Sequence, residues 1–410
     1  MGGLAFLLIA AAAWGRPEIA AAETAAVEEA TPPPSWAKSI EVVDDGAPVM
    51  MAPDASSQRR GTVGAGTRLG FSRRVFGPGC ANGVWYETSD QLYICEAHVR
   101  PSAEAPGPKI DEWTRDGGRL PQRYAFIRYG GTRAYLHPSD YFRNDYEEAL
   151  GKGFGIVVTG ETVYEGVAFV RTRKYLWVEE GSVRFVKGSS FAGEKIAPGE
   201  KLDIAWAALR PAKVYDRPRG RAIRRIDRHG PVHVQATEGA WAEIEGGGWM
   251  RLSDLARAER TEPPEGVGPH DRWVDVDVEQ QVLVAYEGET PMFATLVSTG
   301  RDTKQSKTPM GTFPIWVKLD YTDMDDLERT DVDKNYSIQD VPWVQFFKGS
   351  YGFHAAFWHD DFGRRRSHGC INLSPADARY LFQFTQPALP PGWNAILPIP
   401  QDHPTVVRVR

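Results

Sequence analysis

The interval between chain breakers is the tightest constraint on how this chain can fold. Gly (41) and Pro (30) recur so often along the 410 residues that few windows leave room for a long helix. Between them lie short runs rich in Val, Ile, Phe, Tyr and Trp, residues that suit a pleated and half-buried surface. A mainly β protein of short strands and tight turns is the expectation. At ~150 residues per domain the length points to two or three domains. Charged side chains make up 25% and the formal charge is −6, so no basic excess marks nucleic acid as a partner. No window reaches the ~20 apolar residues of a spanning helix, and no transmembrane segment is expected.

Residues 4–13 (LAFLLIAAAA) have the length of a signal-peptide core, and Ala20-Ala21-Ala22 offers a cleavage site. Nothing from Met1 to Gly3 carries the positive charge usual in such a segment. Residues 1–22 therefore read as a signal peptide. That implies export to the periplasm or cell envelope, an oxidising compartment. Residues 23–37, with Pro32-Pro33-Pro34, read as a tether.

Breaker-rich stretches at 100–121 and 258–270 divide the rest of the chain. Residues 38–100 and 200–257 share an order of short runs, with Trp85 or Trp241 in the penultimate strand and Tyr93 or Trp249 in the last. This pattern resembles bacterial SH3-like modules, which are small β-barrels. Residues 120–195, with Leu176-Trp177-Val178, read as a divergent third β module. Cys80 and Cys95 flank the strands of the first module; a bridge there would close a 15-residue loop, worth about 3 kcal/mol. Cys370 is the cysteine left over.

From Arg272 the pattern changes. Trp273, Val274, Val276 and Val278 alternate with acidic residues, the period of a half-buried strand, and residues 281–286 and 291–298 continue as strands. A turn at 307–313 leads into a strand over 313–318, and residues 321–336 read as an acidic surface insertion. Ser374 and Pro375 open a helix as N-cap and first helical residue.

Cys370 needs a base to become a nucleophile, because a free thiol has a pKa of ~8.5. His368 lies two positions away and shares its face if the segment is extended, while His354 lies 16 residues upstream, a separation suited to adjacent strands. Backbone N–H groups at Gly369 and Cys370 can cradle an oxyanion. A thiolate, a base and amide donors together equip a site for acyl transfer. A zinc site of His354, His359, His368 and Cys370 is the metal rival, although the spacing matches no familiar zinc motif. His98, His137, His229 and His233 read as structural or surface groups.

His354 followed by Ser367-His368-Gly369-Cys370-Ile371-Asn372 resembles the signature of the YkuD-type L,D-transpeptidases, and residues 272–410 follow that family's layout. The resemblance implies a β-sandwich with Cys370 as nucleophile and His354 as general base, its ring oriented by the Ala355 carbonyl. Ser367, His368, Gly369 and Asn372 would support the nucleophile's turn and the oxyanion. Tyr351, Trp358, His359 and Arg366 are candidates to bind substrate. The implied partners are peptidoglycan stem peptides as donor and acceptor, with no cofactor and no metal. Transfer to water would make the same site an L,D-carboxypeptidase, and transfer to a lysine would attach a protein to the wall. A protein that only binds peptidoglycan is the non-catalytic rival.

Overall fold

A computed structural model describes residues 28–109, 119–325, 327 and 336–410. The expected signal peptide, 1–22, lies outside the described residues. Strand accounts for 45% and helix for 7%, so the chain is mainly β.

Residues 271–410 form two facing sheets. The strands Arg272–Asp277, Val282–Glu287 and Thr290–Leu296 make an antiparallel meander, extended by Val406–Val409 and Gly311–Pro314. Opposite it lie Val317–Asp325, Ser337–Lys348, Tyr351–Ala355 and Ile371–Leu373. Val274, Val276, Leu283 and Phe293 from the first sheet meet Phe347, Phe353, Ile371 and Leu373 from the second in one buried core. The helix Pro375–Phe384 adds Ala378, Leu381 and Phe384. Ser374 caps it, its hydroxyl accepting from Asp377 N–H at 3.2 Å.

Two expectations for this segment need correction. The first strand is buried on both faces: Asp275 is 2% exposed and accepts from Arg408 Nε (2.6 Å) and Arg410 Nε (2.9 Å). Alternation does not distinguish a solvated acid from one that later strands cover with arginines. Nor are residues 321–325 part of a surface insertion. They continue the strand Val317–Asp325, paired with Ser337–Lys348 in a long hairpin.

Upstream, each of three β units ends the same way. A short strand opened by an aromatic leads through a three-residue 3-10 turn into another strand. The segments are Tyr93–Cys95, Glu96–His98 and Val99–Ser102; Trp177–Glu179, Glu180–Ser182 and Val183–Val186; and Trp249–Arg251, Leu252–Asp254 and Ala256–Arg257. Cys80 and Cys95 form a disulfide in the first unit, with Cα atoms 5.5 Å apart. No sheet is closed among the described residues, and the small barrels expected from the turn spacing are not confirmed.

In the first unit the strand Arg59–Val63 pairs on one side with Ala47–Met50 and on the other with Trp393–Ile396. A Cβ at Gly61 would sit 2.2 Å from Ala395 O and 2.8 Å from the Trp393 ring, so glycine is what permits this approach. Arg60 adds a hydrogen bond to Leu397 O (2.7 Å) and a two-pronged contact with Asp402 (2.7 and 2.9 Å). The second unit joins the same sheet where Gly155 pairs with Ile338, reinforced by Tyr124 Oη donating to Asp340 O at 2.7 Å. The segment Glu194–Lys195 adds an edge strand to Thr290–Leu296.

Candidate active site

The strand Tyr351–Ala355 runs parallel to Ile371–Leu373, with His354 opposite Asn372. Carried back by two residues, this register sets Gly352 beside Cys370. Side chains alternate along a strand, so His354, Asn372 and Cys370 are brought to one face. Gly352 has no room for a side chain, since a Cβ there would meet Gln345 O at 2.4 Å.

His354 is 3% exposed, and its Nδ1–H donates to Ala355 O at 3.1 Å. That bond fixes the tautomer and leaves Nε2 as a lone-pair acceptor. Burial lowers the ring's pKa to about 4, against a smaller opposing effect of the Ala355 bond, so the imidazole is neutral at pH 7. Cys370 is half-buried, and its Sγ–H points to Ser350 O at 3.5 Å. Burial pushes the thiol up, with the Gly352 backbone pulling weakly the other way. At rest the pair is a neutral thiol and a neutral imidazole.

The turn before Cys370 is tightly built. Gly369 has φ +126°, and a Cβ there would lie 2.4 Å from Tyr351 Cε1, so the Tyr351 ring closes the space beneath the turn. Thr308 Oγ1 accepts from Gly300 N–H and donates to Gly369 O, both at 2.8 Å. Gly369 N–H donates to Ser367 Oγ at 3.0 Å, which removes it from the expected pair of oxyanion donors. Cys370 N–H has no acceptor among the described residues. The unusual φ at Gly369 also breaks the extended run on which a shared face for His368 and Cys370 depended. His368 is exposed, and its ring stacks on Tyr336 at 5.5 Å. Of the two expected bases, His354 is the one the parallel register brings to the face of Cys370.

His359 is tied to the same face. Asp361 N–H donates to its Nδ1 at 3.1 Å, so the ring proton must be on Nε2, which lies 3.0 Å from the side-chain amide of Asn372. The amide group facing it is therefore the oxygen. The other end of the amide, buried and without a partner, is then NH2. Burial first, then Arg366, lowers the His359 pKa to about 4. Trp358 stacks against His354 at 5.7 Å. Arg366 pairs with Asp361 and Arg365 with Glu279, while Arg364 donates to Leu209 O; this run is anchored, not merely solvated. Among the described residues no group of three or more His, Cys, Asp or Glu is placed to hold a metal ion.

Residues 271–398 match the YkuD family, the L,D-transpeptidase catalytic domain. This segment is a YkuD domain. The candidate L,D-transpeptidase YciB of Bacillus subtilis (strain 168) is 28% identical over 125 residues, which is 27% of this chain and 59% of that relative. The chain thus spans less than two thirds of the length of that relative. Among solved structures, the catalytic domain of the Enterococcus faecium L,D-transpeptidase is 23% identical, over 34% of this chain and 98% of that one, with a TM-score of 0.26. L,D-transpeptidase 3 from Mycobacterium tuberculosis, in complex with a faropenem-derived adduct, is 20% identical over 35% and 61%, with a TM-score of 0.28.

Asp361 and Ser298, which shape the site of this YkuD domain, carry no signal of that role in the sequence. Asp361 joins three groups: its N–H meets His359, its carbonyl accepts from Ser298 Oγ at 2.8 Å, and its carboxylate meets Arg366. Ser298 in turn exchanges backbone hydrogen bonds with Asn372 at 3.0 and 2.9 Å. No spacing rule links residues 298, 361 and 372.

Proposed function

We propose that this protein is an L,D-transpeptidase acting on peptidoglycan stem peptides through a Cys370 acyl-enzyme. The observation that carries the reading is the Nδ1–H bond of His354 to Ala355 O, which presents a neutral Nε2 on the face shared with Cys370. His354 Nε2 takes the thiol proton as Sγ attacks the carbonyl of the stem's L,D peptide bond. Cys370 N–H supports the oxyanion, and the Asn372 NH2 offers a further donor to substrate. The leaving amine of D-alanine takes the proton from the imidazolium as the C–N bond breaks. An acceptor amine then attacks the thioester, gives its proton to His354, and restores the thiolate, which is reprotonated.

Export to the periplasm, with residues 1–22 as signal, belongs to the same proposal. So does the division of the chain into modules at 38–100, 120–195 and 200–257 ahead of a catalytic unit at 272–410. A tetrapeptide muropeptide and mass spectrometry test the chemistry. The wild type should form cross-linked dimer and take up a carbapenem on Cys370, and Cys370→Ala should do neither while remaining folded. Full activity in Cys370→Ala would overturn the mechanism.

A further inference from the structure

The loop between the strand bearing His354 and the strand just after Cys370 is held from outside residues 271–398. Arg228 and His229 lie in a turn of the third upstream unit, between Ala222–Ile226 and Pro231–Glu238. Arg228 Nη2 donates to Asp360 O and lies 3.4 Å from the Asp361 carboxylate. His229 Nε2–H donates to Phe362 O at 3.1 Å, and its ring packs 4.9 Å from Phe191. Ser189 Oγ bonds the Asp360 carboxylate. Phe362 itself is fully buried, in a core that mixes Trp206 and Ala208 of the upstream unit with Trp273 and Val284 of the YkuD domain. Residues 360, 361 and 362 are thus each gripped by a group from the upstream chain. They flank the one backbone N–H, that of Asp361, which sets the tautomer of His359 and through it the Asn372 amide.

We propose that Arg228 and His229 are positioning residues of the active site: by fixing residues 360–362 they hold His359 in the Nε2–H tautomer that orients Asn372 beside Cys370. On this reading the third unit is a working part of the catalytic site and not only a tether. The proposal rests on the transpeptidase reading for its kinetic test but not for its spectroscopic one.

The decisive comparison is His229→Gln against His229→Asn in the full chain. Both are neutral and polar, but only the longer Gln places an N–H where Nε2–H sits, within reach of Phe362 O. His229→Gln should keep kcat within about twofold of wild type on a tetrapeptide muropeptide. His229→Asn and Arg228→Met should lose about tenfold or more in kcat, with KM within about twofold. Nitrogen-15 NMR of the His359 ring should show the Nε2–H tautomer in wild type and His229→Gln, and a mixed or averaged signal in His229→Asn. Equal kcat in all three folded variants, or an unchanged His359 tautomer in His229→Asn and Arg228→Met, would overturn the positioning role. If wild type lacks transpeptidase activity, the proposed reaction fails, and the tautomer comparison still decides this inference.

Discussion

At the scale of single residues, the site rests on two groups held neutral by burial. In the proposed mechanism His354 must be unprotonated to accept the thiol proton, and its pKa is lowered to about 4. The acid limb of a kcat/KM–pH profile should therefore fall near pH 4 to 5, below the ~6.5 of an ordinary imidazole. A limb at 6.5 would mean that the ring is hydrated. Gly369, next to Cys370, is equally constrained. Gly369→Ala places a Cβ against the Tyr351 ring at a positive φ. The cost should be about 1–3 kcal/mol in a denaturant titration, with a larger proportional loss of activity. The residues proposed to carry chemistry could be singled out because His354 and residues 367–372 stand close together in the sequence. The loss of the Gly369 amide to Ser367, and the outward turn of His368, could not. Both stem from one unusual φ that the letters G-C do not reveal.

At the scale of elements, Lys318 joins the helix Pro375–Phe384 to the sheet beneath it. Its ammonium is fully buried and donates to Phe382 O, Thr385 O and Pro387 O at 2.7, 2.8 and 2.9 Å. Burial and Arg272 lower its pKa to about 7, yet three acceptors match the three N–H groups of the charged form. These carbonyls lie at the helix's C-terminal end, where positive charge is favoured. Lys318→Met keeps the volume and strands the carbonyls, so urea unfolding should show a loss of about 3 kcal/mol or more. A loss below 1 kcal/mol would mean that water replaces the ammonium. From sequence, Lys318 read as the polar end of a strand. The pattern that placed Ser374 and Pro375 at a helix start is local, whereas a lysine's burial depends on a helix 60 residues further on.

At the scale of the molecule, the upstream units are joined to the YkuD domain by shared sheets. Arg59–Val63 pairs with Trp393–Ile396, and Glu194–Lys195 with Thr290–Leu296. Calorimetry of the full chain should therefore show one cooperative transition. Gly61→Val, which cannot admit Ala395 O, should split it or lower its midpoint by several degrees. Two separate transitions in the wild type would mean that the shared strands contribute little. Composition did expose the breaker-rich stretches, because turns are written locally, but it took Tyr93 and Trp249 for the last strands, whereas a 3-10 turn and a further strand follow each. It did not reveal the pairing of the first unit with Trp393–Ile396, because nothing in a run such as Arg-Arg-Gly-Thr-Val says which distant strand lies alongside. The seam also sets an order of events. Arg60 and Leu397 are 337 residues apart, so a chain made from its N-terminus carries an unpaired strand edge until residues 393–397 have been made. Contacts of such long range slow folding, and an open edge invites pairing with other chains. Removal of residues 393–410 should therefore harm the first unit as much as the last, and newly made chains should depend on a holding chaperone until residues 393–397 are available to pair.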